Sequence, residues 1–443
     1  MDYRTRETSF DSQKMINYGK SKYMDNFDAY LKKDISYNYR GKELKFYVSQ
    51  ALFSSHSIDL GTNHLLKTLT SEGFNKYNKV LDLGCGYGPI GNSLKSFYEP
   101  SVVHMVDRDA LALEFSKQNV KFNNLSGVKI YGSLGYDDIS DTDFDLIVSN
   151  IPAKVGEPVL SHVLEDARFY LCQGGKVAIV VIDAIGDYVT KVLKSNKNIN
   201  ILFYKRWSGY LVFHYEFLDD SPIRPKLNAF DRGLYNRGKQ NILFDNSEVS
   251  IETAYGLSEF DTLSYETETI LNKLKDFKDR EINRAIIFNP EQGIIPTVLA
   301  KTTKVKEINL IDRDLEALRM SKKNLISSGF NPEKILLFHE VGIPKTNKGL
   351  ADLVIGILDE KDDPKVHLML VKEAREQLLT GGLLILGSGS TPITRIESFI
   401  KRGKLFEVIA RQKGRKVHRS AIPDCVSIET SELSKRIFCL PRL

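Results

Sequence analysis

Cysteine is scarce. The 443 residues contain four (Cys85, Cys172, Cys425 and Cys439), widely scattered and with no C-x-x-C pair. Such a set excludes a disulfide framework and a zinc ribbon, and it points to a reducing cytoplasm. Long apolar runs are also missing: the longest in strand-like sequence, Val177–Ile182, falls far short of the ~20 residues of a membrane span. No basic, apolar and small-residue succession opens the chain, so no secretory signal is expected. Excess charge of either sign is lacking as well. Lys and Arg number 62 against 57 Asp and Glu, a net +5 that permits nucleic-acid binding without arguing for it. His56, His64 and His162 have no metal-ligand spacing, so no metal is assigned. With 42% hydrophobic and 27% charged residues the chain is an ordinary globular one, long enough for two or three domains.

What the chain does contain is a copy of part of itself. Val106–Asn119 reads VDRDALALEFSKQN, and 205 positions later Ile311–Asn324 reads IDRDLEALRMSKKN. Asp107, Arg108, Asp109, Ala112, Leu113, Ser116, Lys117 and Asn119 recur unchanged. The offset then becomes 207, matching Asp145-Leu146 with Asp352-Leu353 and Gly174-Gly175 with Gly381-Gly382. A fixed offset with one small slip, held over about 100 residues, identifies a duplicated domain.

Each copy alternates short β-branched runs with amphipathic stretches, the mark of a parallel sheet with helices on both faces. In the first copy, strands are expected at Lys79–Leu83, Val102–Val106, Lys129–Tyr131, Asp145–Ser149 and Lys176–Ile182, and helices at Pro89–Phe97, Ala110–Asn123 and Pro158–Leu171. The last helix is expected to stop at a Gly174-Gly175 turn. Ile201–Tyr204 and Tyr210–Phe217 suit a closing antiparallel pair. Residues 1–35 read as a polar extension, 36–218 as the first domain, 219–232 as a linker and 233–443 as the second domain.

The chemistry is concentrated in Val80-Leu81-Asp82-Leu83-Gly84-Cys85-Gly86-Tyr87-Gly88-Pro89. A strand enters glycines at alternate positions and leaves as a helix, so a ligand can lie against bare backbone. Dinucleotide sites favour G-x-G-x-x-G. Here G-x-G-x-G follows Asp82, an acid suited to the cationic amino-acid end of a ligand. Asp107, ending the next strand, can accept both hydroxyls of a ribose.

At these residues the chain resembles the class I S-adenosylmethionine-dependent methyltransferases. The resemblance implies a Rossmann-like fold in two tandem domains, each with a mostly parallel seven-stranded sheet. It also implies S-adenosylmethionine as cofactor, with Asp82, Gly84, Cys85, Gly86, Gly88, Asp107, Arg108, Ser133 and Asn150 around it. Asn150-Ile151-Pro152-Ala153 is similar to the N-[PIL]-P-x motif of enzymes that methylate planar nitrogens. An amine conjugated to a ring has a delocalised lone pair, and the Asn150 and Ile151 carbonyls would accept its hydrogens and aim it at the methyl. Pro152 would stiffen the loop. Ala153 stands where many members have Phe or Tyr to stack on the base, and Leu134 where many have Asp or Asn against adenine. Ala51-Leu52-Phe53-Ser54 and Asp59-Leu60-Gly61-Thr62 resemble the cover segment of the small-domain ribosomal RNA guanine-N2 methyltransferases. That likeness makes Phe53 and Thr62 candidates for the cover, and Phe53, Ala153 and Lys154 candidate substrate contacts.

In the second copy Ile287, Asn289 and Glu291 replace Asp82, Gly84 and Gly86, and Ile357 and Asp359 replace Asn150 and Pro152. Side chains are expected to fill the cofactor space there, leaving a degenerate domain free to hold RNA or support the first. Lys401–Arg419 carries eight basic residues against Glu407, a candidate phosphate-contacting cluster. Lys205-Arg206-Trp207 could add stacking. The expected function is methylation of an exocyclic base amine, foremost guanine N2 of ribosomal RNA, either free or in a ribosomal subunit. A protein glutamine amide as substrate, and a non-catalytic RNA-binding or assembly factor, are the alternatives.

Overall fold

The computed structural model describes residues 26–69, 77–207, 209–218, 223–245, 247–345, 349–403, 406–413, 423–430 and 435–438, with side chains up to 408. The first copy runs α1 (Asn26–Tyr30), β1 (Leu31–Tyr39), β2 (Lys42–Ser49), α2 (Leu60–Thr68), β3 (Lys79–Leu83), α3 (Pro89–Tyr98), β4 (Val102–Asp107), α4 (Ala110–Phe122), β5 (Val128–Gly132), β6 (Phe144–Asn150), α5 (Glu157–Glu165), β7 (Leu171–Ile182), α6 (Asp183–Ser195), β8 (Ile199–Trp207) and β9 (Tyr210–Phe217). The second runs β10 (Asn236–Phe244), β11 (Ser247–Ala254), α7 (Tyr265–Leu274), β12 (Glu281–Phe288), α8 (Ile294–Thr302), β13 (Lys304–Asp312), α9 (Leu315–Ser327), β14 (Ile335–His339), β15 (Ala351–Ile357), α10 (Pro364–Gln377), β16 (Leu378–Gly389), α11 (Ser390–Gly403), β17 (Glu407–Lys413), β18 (Pro423–Thr430) and β19 (Lys435–Phe438).

The first sheet has the order β5-β4-β3-β6-β7-β9-β8, parallel except around β9. The second repeats it as β14-β13-β12-β15-β16-β18-β17, with β19 added beside β18. Central strands are mostly apolar because both faces are covered, with Asp82 and His104 as buried polar exceptions. Val80, Val148, Ala178 and Val180 enter one core layer, while Leu81, Ile147, Val177, Ile179 and Val181 enter the other. Strand order reverses between β3 and β6, and that switch opens a crevice at the carboxyl ends of the strands.

Several boundaries differ from the sequence reading. The chain does not turn at Gly174-Gly175: after α5 and a single turn of 3-10 helix (Asp166–Phe169), β7 runs through both glycines. Phe144 pairs with Leu171 but Leu146 with Lys176, so the extra residues bulge out, with Gly174 at φ 72°. Residues 26–35 of the expected extension form α1 and half of β1; the other 25 lie outside the described residues. The expected linker is docked over its described part, since the Asp137 carboxylate accepts from the Ala229 and Phe230 amides at 2.7 and 3.0 Å. Asp219–Pro222 and most of the basic run Lys401–Arg419 fall outside the described residues or side chains.

The two copies join through the repeated Asp-Arg-Asp motifs, each gripping the other. The Ala110 amide donates to the Arg313 carbonyl (2.7 Å) and the Leu315 amide to the Arg108 carbonyl (3.0 Å). Arg108 pairs with Asp314 at 2.8 Å and Arg313 with Asp109 at 3.2 Å. Such reciprocity is the geometry of a two-fold dimer contact, here within one chain.

Candidate functional site

Beyond β3 the backbone turns with Gly84 at φ 74° and Gly86 at φ 56°, conformations costly for residues with a Cβ. A Cβ built on either glycine would meet nothing within 4 Å, so both present open backbone to the crevice. Gly88 differs. A Cβ there would strike the Met105 side chain at 2.5 Å, so this glycine serves the packing of α3 on β4 and does not line the cavity.

The crevice is a cavity of about 500 Å³. Of the residues expected from sequence, it is lined by Phe53, Gly84, Cys85, Gly86, Asp107, Arg108, Ser133, Asn150, Ile151, Pro152 and Ala153. Lys154 is exposed and outside it. Asp82 is not in it either, against expectation. That carboxylate is fully buried beneath the loop, where it accepts from the Gly91 amide at 2.8 Å and burial pushes its pKa up to about 7. The carboxylate thus anchors the first turn of α3 and lies outside the cavity lining.

Asp107 keeps the position expected of it. One carboxylate oxygen accepts from the Gly86 amide (2.8 Å) and the other from the Asp109 amide (3.0 Å). Each retains a lone pair for a further donor, as a vicinal diol would supply. Burial raises its pKa to about 6. The Cys85 thiol, also buried and beside Asp107, is held well above its usual range, so it remains a protonated wall atom rather than a nucleophile. Ser133 Oγ donates to the Gly135 carbonyl and shapes the loop after β5.

Asn150 closes the other end. Its Nδ2 donates to Asp59 Oδ2 and to Thr62 Oγ1, both at 3.0 Å. A carboxylate can only accept, so the amide must turn its NH2 toward Asp59, and its carbonyl oxygen is left for the cavity. Asp59 is itself fixed as the N-cap of α2, accepting from the Thr62 amide at 3.1 Å, and by the Tyr210 hydroxyl at 3.2 Å. Sequence reasoning missed Asp59 and Tyr210. The available signal was an acidic residue three before Thr62 at a helix start, which marks a cap but says nothing of a partner 91 residues away. Phe53 stands at the rim, 74% exposed. Trp207 lies stacked on His64, ring centres 4.6 Å apart, with the Lys205 ammonium 4.7 Å from the indole.

The second copy has a cavity of about 610 Å³ at the corresponding place. Side chains do not fill it, contrary to expectation. Asn289 and Glu291 keep the positive φ of the glycines they replace (both 51°), but their side chains fold to the walls. Asn289 donates to the Ile357 carbonyl at 2.7 Å, and Glu291 accepts from Ser258 at 2.9 Å. Carboxylates of Glu291, Asp312, Asp314, Asp359 and Asp362 line the space, and Ile357 offers no side-chain acceptor where Asn150 stands in the first copy. Among the described residues no group of His, Cys, Asp and Glu is placed to hold a metal, and no helix is long and apolar enough to cross a membrane.

The family model described as methyltransferase small domain matches residues 43–212. YbxB, an uncharacterized protein of Bacillus subtilis, is 31% identical over 147 residues, covering 33% of this chain and 72% of that one. Ribosomal RNA small subunit methyltransferase C of Actinobacillus pleuropneumoniae is 39% identical over 151 residues, and that of Haemophilus influenzae 36% over 143. These matches take in 32% and 31% of this chain and only 44% and 42% of those enzymes, so the chain spans less than half their length. Among solved structures, the T. thermophilus 16S rRNA N2 guanine methyltransferase RsmC, in complex with AdoMet and guanosine, superposes with a TM-score of 0.62 at 15% identity. That match covers 91% of this chain and 99% of the other, so the likeness in fold extends over both copies.

Proposed function

Because the chain belongs to the methyltransferase small domain family, we propose that it transfers methyl from S-adenosylmethionine to an exocyclic amine of an RNA base, with guanine N2 of ribosomal RNA as the target. The observation that carries the reading is the fixed carboxamide of Asn150, whose two hydrogens are taken by Asp59 and Thr62. What remains is an oriented acceptor at one end of a cavity whose other features suit the cofactor. Gly84 and Gly86 leave bare backbone for its amino-acid end, and Asp107 has lone pairs for its ribose.

The cofactor when bound supplies an electrophilic methyl on a sulfonium. Asn150 Oδ1 and the Ile151 carbonyl accept the hydrogens of the target amine and so orient its nitrogen toward that methyl. Positioning of this kind supplies much of the rate in a transfer that needs no protein nucleophile. A base must leave its stack to reach an acceptor that lines a crevice. Phe53 at the rim offers the aromatic face that Ala153 lacks. The relatives named for ribosomal RNA methylation support the substrate class, and with it ribosomal RNA or a ribosomal subunit as partner and the cytoplasm as place of work.

The test is to incubate the protein with methyl-labelled cofactor and, separately, unmodified ribosomal RNA, ribosomal subunits, transfer RNA and a protein extract, then digest the RNA to nucleosides. Label is expected in N2-methylguanosine. Label confined to protein would move the activity to a glutamine amide, and no transfer despite cofactor binding would leave a non-catalytic binder. A pH dependence follows from Asp107. Ribose hydroxyls favour its ionised form, so binding is fully developed above about pH 6, the value to which burial raises this carboxyl. Below it the carboxyl gains a proton, and affinity should fall by up to about tenfold per pH unit. Calorimetric titrations from pH 5 to 8 check this, and an affinity flat across that range would refute the role given to Asp107.

A further inference from the structure

The cavity of the first copy is not built from the first copy alone. Tyr235 lines it, although it precedes the first strand of the second copy. Its counterpart 205 residues earlier, Tyr30, lines the cavity of the second copy. Each lead-in segment therefore crosses to the site of the other.

The first copy is shaped to receive this crossing. A Cβ on Gly135 would lie 2.8 Å from the Tyr235 hydroxyl, one on Gly156 2.5 Å from the Tyr255 ring, and one on Gly132 2.8 Å from His339. Three positions thus lack a side chain where rings of the second copy press in. Tyr235 is buried in a cluster holding Leu134 and Val159 from the first copy, Phe230 from the linker, and Leu257 and Met320 from the second copy. Arg108, another lining residue, is tied to the second copy through Asp314, Glu316 and the Gly256 carbonyl at 2.9 Å.

The strand order says which part of a ligand meets this wall. With the reacting methyl near Asn150 on β6 and the ribose at Asp107 on β4, the two lie either side of β3. Successive strands are about 4.8 Å apart, so the base beyond the ribose comes to rest over the end of β5. Leu134, Gly135 and Tyr235 are there. We propose, on the reading that this cavity takes S-adenosylmethionine, that the second copy completes the site: Tyr235 closes its nucleobase end, and Arg108, clamped by Asp314 and Glu316, holds the adjoining wall. The degenerate copy is then part of the cofactor site.

The experiment is calorimetric titration of the full chain with S-adenosylmethionine and with adenosine, which carries the base and ribose only. Tyr235→Ala should raise Kd for both about tenfold, a loss of roughly 1.4 kcal/mol. Tyr235→Phe should stay within about threefold of wild type, since it keeps the ring. Tyr235→Leu, which keeps an apolar side chain between the copies, should reproduce the loss where the alanine variant does not fold. Tyr30→Ala should leave both affinities unchanged. Wild-type affinity for both ligands in the Tyr235→Ala or Tyr235→Leu protein would overturn the proposal. So would equal weakening by Tyr30→Ala, which would trace the effect to loosened packing between the copies. A wild-type chain that binds neither ligand would instead overturn the cofactor reading beneath it.

Discussion

Asn150→Ala should abolish methyl transfer to RNA, lowering kcat by about a hundredfold or more, while Kd for S-adenosylmethionine changes by less than about twofold. The argument rests on where the carboxamide is held. Two acceptors, Asp59 and Thr62, fix its NH2 end, so its oxygen is oriented before any substrate arrives. The loop glycines and Asp107, which carry the cofactor in this reading, make no hydrogen bond to the Asn150 side chain. Removing the amide therefore takes away the acceptor for the amine and leaves the cofactor cradle standing. Single-turnover kinetics with saturating RNA, alongside calorimetry of the cofactor, separates the two. A variant that loses cofactor binding in step with activity would show that Asn150 acts on the cofactor, and the assignment would fall.

Gly86→Val should have the opposite signature, raising Kd for the cofactor about a hundredfold. Gly86 sits at φ 56°, where a β-branched residue is strained by roughly 1–3 kcal/mol. Its Cβ direction is open space, so the new methyls would stand where the ligand must approach the main chain. Strain alone would lower the melting temperature, so Gly86→Ala is the control: its single methyl meets no protein atom within 4 Å, and the fold should survive with cofactor affinity still reduced. Two variants that melt near wild type and bind the cofactor within about threefold of it would mean the loop is not the cradle.

Much of this was legible in the sequence because the repeat preserves residues that do local structural work. Asp109 and Asp314 each cap the following helix, accepting from the Leu111 and Glu316 amides at 2.9 Å. Asn119 and Asn324 latch the hairpin ahead of each sheet, by bonds to the Tyr47 and Glu252 backbone. Ser116 and Ser321 each donate to the loop carbonyl, of Gly86 and Glu291 respectively. These pairs recur whatever becomes of the chemistry, and so they reveal the fold. The glycine spacing gave the cradle for a similar reason, since a turn against a ligand needs glycine at fixed steps.

What escaped the sequence depends on contacts between distant segments. Asp82 reads as a ligand group by its spacing, but the side chain of an inner strand residue points into a layer rather than along the strand end, and it went under the loop. Asp59 lies in a segment of plain capping sequence, and nothing in it announces a carboxamide far along the chain. Tyr235 lies beyond the first repeat unit altogether. Its place becomes visible only once the copies are seen to exchange their lead-in segments.

One apolar cluster gathers Tyr30, Leu44, Phe46, Val48, Tyr87, Leu111 and Phe115 from the first copy with Phe288, Val354, Leu370, Leu384 and Ile396 from the second. A chain cut between the repeats would thus be divided through an interior, not at a seam. The repeat in the sequence and the buried interior do not share a boundary: the repeat divides the chain in two, while one apolar core holds side chains of both parts.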